Sequence, residues 1–252
     1  MSENAAARVP VGREFEIVRE FGVDASPDQV WTAITTGTSG WLWPMEYEPK
    51  QGGAAPFGGV VAVWDPPHRL TGRVDSPDGV AGQILNQLDH VIEPREGGGS
   101  WVRYVHSGIF VDNWDDQYDG ADKHTDFYLH TLRQYLRHFA GRGAAYASVD
   151  GPAASTAPDA LDVVSRALGI PDNAAQGDAV LVTAPGGAPF EAVLDYRNRW
   201  FVGLRTGDAM VRIFGRNHFG APVGVSVHDF AAGADAGKAA RAWQDWLTGI
   251  FG

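Results

Sequence analysis

The stretch from Leu88 to Phe110, LDHVIEPREGGGSWVRYVHSGIF, constrains the fold of this chain more than any other. Leu88, His90 and Ile92 alternate on one arm and Val102, Tyr104 and His106 on the other. Gly97, Gly98 and Gly99 lie between the arms, the spacing of a half-buried antiparallel hairpin. One face of the hairpin thus carries two imidazoles and a phenol among aliphatic side chains. Buried polar rings need partners, so this face either satisfies its hydrogen bonds inside a core or lines a cavity that receives a ligand.

The hairpin runs into Asp112 to Phe139, which reads as one long helix with Gly120 as its only internal weak point. Asp112, Asp115, Asp116, Asp119, Asp122 and Asp126 crowd its first half, while Arg133, Arg137 and His138 lie near its end, the order a helix dipole favours. Leu129, Leu132, Leu136 and Phe139, flanked by Tyr128 and Tyr135, recur at three and four residues and form a stripe that must lie on a sheet. Upstream, Arg13 to Val23 alternates as a strand. Ser26-Pro27-Asp28 then opens a helix with an N-cap, a proline in the first turn and an acid at the positive end, and Val30, Trp31 and Ile34 give it an apolar face. Thr38 to Pro44 brings Trp41 and Trp43 onto a short second element. Gly59 to Trp64 is a strand stopped by Asp65-Pro66-Pro67, and Leu70 to Val74 starts the return strand, with the loop 75–82 after it.

Beyond the long helix, residues 143–158 are rich in alanine, serine, glycine and proline and offer little to bury, which predicts a linker. The second half then repeats the plan. Asp159 to Leu168 is a helix, five strands follow between Ala179 and Phe230, and Ala234 to Phe251 closes the chain as a helix bearing Trp243, Trp246, Leu247 and Ile250. The expected organisation is a disordered N-terminus over 1–12, one domain over 13–142, the linker, and a second, smaller α+β domain over 159–252.

The 252 residues carry 31 acidic and 20 basic side chains, a formal charge of -11, which disfavours nucleic acid because phosphate recognition needs a basic face. The absence of cysteine excludes disulfides, thiolate metal sites and a thiol nucleophile. MSENAAARVP has no apolar core of signal-peptide length, and no run approaches the roughly 20 apolar residues of a membrane span, so a cytoplasmic protein with no membrane span is expected.

Asp115, Gln117, Asp119, Gly120 and Asp126 fall at positions one, three, five, six and twelve of a calcium loop. Glutamine at the third position and aspartate at the twelfth fit that loop poorly, and the run reads as a solvated helix face. Histidines at helical zinc spacing, a Gly-x-Ser-x-Gly elbow, a phosphate loop and a dinucleotide fingerprint are all missing. No metal and no cofactor are expected.

The order strand, Ser-Pro-capped helix with Val30-Trp31, short tryptophan-bearing element, GVVAVWDPPHRL, the hairpin with Ile92-Glu93-Pro94, Val105-His106-Ser107-Gly108 and a final long helix resembles the START-like helix-grip superfamily (SRPBCC) over about residues 13 to 140. Within it, these residues look most like the branch named after the activator of the ninety-kilodalton heat-shock protein's ATPase. The resemblance implies an α+β helix-grip fold: a curved antiparallel sheet wrapped around a long C-terminal helix, with a cavity between them. The second domain then reads as a smaller, degenerate helix-grip-like α+β unit.

On this reading His90, Tyr104 and His106 contact the polar end of a ligand, or satisfy one another in a core. Trp31, Trp41, Trp43, Trp64, Phe110, Trp114, Tyr118, Tyr128 and Leu132 form the apolar wall, or plain core. The expected function is binding of a small, mostly apolar or aromatic ligand. One alternative is a polyketide cyclase- or aromatase-like enzyme, cofactor-independent and of cyclase or lyase type, in which His90, Tyr104 or His106 moves protons. The other is a chaperone-regulating or other protein-interaction module with a protein partner. No catalytic residue is assigned.

Overall fold

The structure is a computed structural model that describes residues 12–76 and 82–252. The expected disordered N-terminus, apart from Gly12, and most of the loop 75–82 lie outside the described residues. The chain folds as two compact units, Met1–Thr36 with Met45–Asp122, and Gly37–Pro44 with Lys123–Gly252.

In the first unit the strands are β1 (Arg13–Val23), β2 (Ala54–Ala55), β3 (Gly59–Asp65), β4 (Arg69–Asp75), β5 (Gln83–Pro94) and β6 (Ser100–Phe110). They form one antiparallel sheet in the order β1-β6-β5-β4-β3-β2. Helix α1 (Pro27–Ile34) starts where Ser26 Oγ accepts from the Gln29 amide at 3.3 Å and the Gln29 side chain accepts from the Ser26 amide at 2.9 Å. This reciprocal capping satisfies two donors that a helix N-terminus otherwise leaves unpaired. Its apolar face, Val30, Ala33 and Ile34, is buried. The hairpin turn works because Gly97, Gly98 and Gly99 all adopt positive φ, at 81°, 98° and 83°.

Helix α2 (Trp114–His138) is continuous through Gly120. Its stripe residues Leu129, Leu132 and Leu136 are buried, as is Phe139 just beyond it. The division between the units falls within α2, after Asp122, and the two halves of the helix therefore belong to different cores.

In the second unit the strands are β7 (Ala145–Asp150), β8 (Ala179–Val182), β9 (Phe190–Arg197), β10 (Phe201–Arg205), β11 (Ala209–Phe214) and β12 (Gly224–Asp229), with helices α3 (Ala160–Ala167) and α4 (Ala236–Phe251). Their order is β7-β12-β11-β10-β9-β8. In both sheets the first strand pairs with the last, and the others run back in sequence. The element order of the first unit is the one the helix-grip resemblance implies, and the second unit repeats its connectivity.

One correction concerns the stretch 143–158. Its residues 145–150 are strand β7, paired along their whole length with β12 from Ala145↔Asp229 to Asp150↔Gly224, and Ala153–Thr156 is a short 3₁₀ turn. The second sheet therefore has as many strands as the first and is not reduced in that respect. Small side chains conceal this strand in the sequence, because Ala145, Ala147 and Ser148 bury little area.

On one face of the second sheet Val180, Leu194, Val202, Leu204, Val211, Ile213, Val225 and Val227 pack with Leu161, Val164 and Leu168 of the α3 region and Trp243 and Leu247 of α4. On the other face Phe201 and Phe214 meet Phe127 of α2, with Tyr128, Tyr196, Trp200 and Phe219 around them.

Candidate functional site

Register places the polar rings of the first sheet. Tyr104 lies between Arg19 and His90, and Leu70 follows His90, so these four form one row across β1, β6, β5 and β4. The next row on the same face is Ile17, His106, Leu88 and Gly72, and the one after it contains Phe15, Gly108, Asn86 and Val74. His90 and Tyr104 are nearly fully buried, with ring centroids 5.0 Å apart in an edge-on arrangement. His106 Nε2 lies 2.7 Å from Asn86 Oδ1, which can only accept, so the imidazole donates from Nε2. Phe15 meets the His106 ring edge-on at 5.0 Å.

His90 differs from its neighbours. Among the described residues neither of its ring nitrogens has a hydrogen-bond partner. Burial pushes its pKa down to about 4 against the opposing charge of Asp89, so the ring is neutral near pH 7, with one donor and one acceptor to offer. Burial likewise lowers His106 to about 4. Asp89 points to the other face, where Arg69 Nε donates to it at 2.9 Å and the Thr71 hydroxyl also donates. Two charged side chains border the His90 face: Arg19 Nη2 donates to Asp122 Oδ1 of α2 at 2.7 Å. Tyr47, whose ring lies over Gly72, has a phenol pushed up to about 12 by burial.

The residues expected to line a pocket fall into groups. Trp31 and Trp64 pair edge-on at 4.9 Å in the first unit. Phe110 stacks on Phe15 at 4.2 Å, and with Ile17 they pack against Trp114 and Tyr118, themselves stacked at 4.8 Å. Trp41, Trp43, Tyr128 and Leu132 belong to the second unit, where Trp43 meets Tyr128 edge-on at 5.6 Å and Leu132 is fully buried.

Sequence reasoning missed a second polar set. On the face of the second sheet that bears Phe214, Ser148, Ser226 and Arg212 stand in one row and Tyr146, His228 and Met210 in the next. Arg212 is 1% exposed and donates from both terminal nitrogens to Asp195 at 2.8 and 2.9 Å. His130 Nε2 lies 3.9 Å from the same carboxylate, and burial pushes this imidazole down to about 4, against the pull of Asp195. The available signal is an arginine inside the apolar strand AMVRIF and the alternation of Ser226 and His228 with Val225 and Val227.

Among the described residues no group of three histidine, aspartate or glutamate side chains could hold a metal ion, and no helix is long and apolar enough to cross a membrane.

No family model matches the chain, and no curated protein matches it. The chain is similar to several solved structures. One is DynU16, a protein of the dynemicin biosynthetic locus, at 16% identity over 94% of this chain and 95% of that one, with a TM-score of 0.41. A second is CalU16 from Micromonospora echinospora, at 22% identity over 50% of this chain and 75% of that one, with a TM-score of 0.38. A third is the Aha1 dimer from Colwellia psychrerythraea, at 19% identity over 48% of this chain and 96% of that one, with a TM-score of 0.39. The functional reading rests on the side chains of this chain alone.

Proposed function

We propose that the protein binds a small, mostly apolar molecule against the His90 face of the first sheet. The observation that carries this reading is the buried His90 ring with both nitrogens unpartnered beside Tyr104. A buried polar group left unsatisfied costs on the order of 1–3 kcal/mol, so a site that retains one has a use for it. A ligand with one hydroxyl or carbonyl would take the imidazole's hydrogen bond, while Leu70, Leu88, Ile17 and the Trp31–Trp64 pair would receive its apolar body. The neutral histidine gives no charge to match, which favours an uncharged polar end over a carboxylate or an ammonium.

Native mass spectrometry of protein purified from its own host tests this, with retention of one small molecule as the expected result. Extracting that molecule should lower the melting temperature, and adding it back should restore it. His90→Leu should retain several-fold less of it while staying folded. Wild-type protein that carries nothing and is not stabilised by host lipid extract would overturn the proposal.

A further inference from the structure

The second unit has a small cavity of mixed polar and aromatic lining on the face of its sheet away from α3 and α4. Between that sheet and its own closing helices, side chains from Val164 and Leu168 to Trp243 and Leu247 fill the space. The opposite face holds a cavity of about 20 Å³, lined by Trp43, Tyr128, Tyr146, Arg212, Arg216 and His228 among others. Ser148 and Ser226, directly opposite each other in β7 and β12, contribute hydroxyls to its floor. A space of this size takes a guest of about one heavy atom, since a water needs roughly 10–15 Å³ by this measure.

The wall is rich in donors. The Nε–H of Arg212, in a fully buried guanidinium, has no acceptor among the described residues. Arg216 donates from Nη1 to Asp150 at 2.7 Å, and Asp150 lies largely in solvent, with a side chain 62% exposed. Burial pushes the Tyr128 phenol up to about 12 and raises that of Tyr146, so both keep their O–H. His228 donates from Nδ1 to the Ser39 carbonyl at 2.8 Å, so its Nε2 carries a lone pair and is an acceptor with no proton of its own. Arg216 also hydrogen-bonds the Tyr128 phenol, and Ser148 and Ser226 hydrogen-bond that of Tyr146, so the serines are engaged while the phenol protons and the Arg212 Nε–H remain to be given to a guest. A cation in this space would face two guanidinium groups, and an apolar guest would leave the Arg212 Nε–H without an acceptor. An anion accepts from it and from the phenols.

We propose that the cavity is a binding site for a single halide-sized anion, chloride under ordinary conditions, held by the Arg216 guanidinium and the Tyr128 and Tyr146 hydroxyls, the latter oriented by the serines of β7 and β12. Arg212 stays committed to Asp195 and supplies only its remaining N–H. The site is independent of the His90 face.

Crystals of the full chain grown in sodium bromide test the assignment by anomalous scattering. One bromide peak is expected in the cavity, within hydrogen-bonding distance of the two phenols. In solution, ³⁵Cl resonances should show excess broadening that bromide competes away. That broadening should fall at least several-fold in Arg216→Gln and in Tyr146→Phe, each checked for folding by circular dichroism. Tyr128→Phe serves if either variant does not fold. An ordered water only, seen as density without anomalous signal, would overturn the proposal. So would an adventitious ion only, seen as broadening unchanged in the folded variants.

Discussion

The two sheets share one strand order, yet they place their polar side chains on opposite sides. In the first, His90, Tyr104, His106 and Asn86 share a face with Phe15 and Ile17, the residues that meet Trp114 and Tyr118 at the start of α2. In the second, the buried part of the face toward α3 and α4 is apolar, while Arg212, Ser226, His228 and Tyr146 lie on the other. Successive side chains in a strand point to opposite faces, so one step in the phase of the alternation moves a whole polar set across a sheet. A shared connectivity therefore says nothing about which face is available for a ligand. The two sets also differ in charge. Around His90 the rings are neutral, whereas the second sheet buries a full ion pair.

The ion pair is where the units should differ most. Arg212→Met leaves Asp195 buried without its partner, and breaking such a pair costs about 3–5 kcal/mol. Arg69 is its nearest counterpart in the first unit, but its side chain is 50% exposed and Asp89 keeps the Thr71 hydroxyl, so Arg69→Met should cost only about 1 kcal/mol. Urea unfolding of both variants measures the contrast, and equal losses would break it. Arg212→Met combined with Asp195→Leu should recover most of the loss, since a well-packed apolar replacement removes the stranded charge.

Acid acts next. His90 has an ordinary pKa near 6.5 when unfolded and about 4 when folded, so between these values the unfolded chain binds more protons. Stability is complete above about pH 6.5 and falls as the pH drops toward 4, by about 3 kcal/mol for this one group. His228, pushed down to about 3 by burial, adds a loss in the second unit that continues to lower pH. His90→Phe should reduce the slope of the stability curve between pH 6.5 and 4 by the share of one proton, with His106, His130 and His228 supplying what remains, and leave the part below pH 4 unchanged. A variant with the wild-type slope in that window would show that His90 does not protonate on unfolding.

What could be read from the sequence follows from how much each residue reveals without its partners. β1, α1 and the hairpin are legible because strict alternation, a Ser-Pro cap and three consecutive glycines each carry their own geometry. Strand β7 is not, although Tyr146 and Ser148 do alternate with Ala147 and Val149, because its small residues look the same in a loop. The pairing of His90 with Tyr104 across the hairpin is legible from spacing. The lack of partners at its nitrogens is not, since that depends on what β4 and the covering elements bring. Arg212 in an apolar strand is visible as an anomaly, and only the fold supplies Asp195 from β9 to explain it. The predicted pocket residues divide for a similar reason: α2 shows one stripe in sequence, and its two halves join different cores.

The finest contrast lies in two glycines of equivalent strands, Gly72 in β4 and Gly203 in β10. Each lies opposite the next strand's inner residue, Leu88 in one case and Arg212 in the other. A Cβ on Gly203 would fall 2.4 Å from Asp195 Oδ1 and 2.7 Å from Arg212 Nη1, so the ion pair occupies the space that the missing side chain leaves. Gly203→Ala must displace one of the two charges or bend the strand, at a cost of about 1–3 kcal/mol. A Cβ on Gly72 meets only the Tyr47 ring, at 3.7 Å, an ordinary contact. Gly72→Ala should then be neutral or stabilising by up to about 1 kcal/mol, because alanine loses less backbone freedom on folding than glycine does. Differential scanning calorimetry of the two variants reads the difference directly. Opposite signs are expected, and a large loss from Gly72→Ala would mean that the His90 face is packed too tightly around Tyr47 to admit a ligand there.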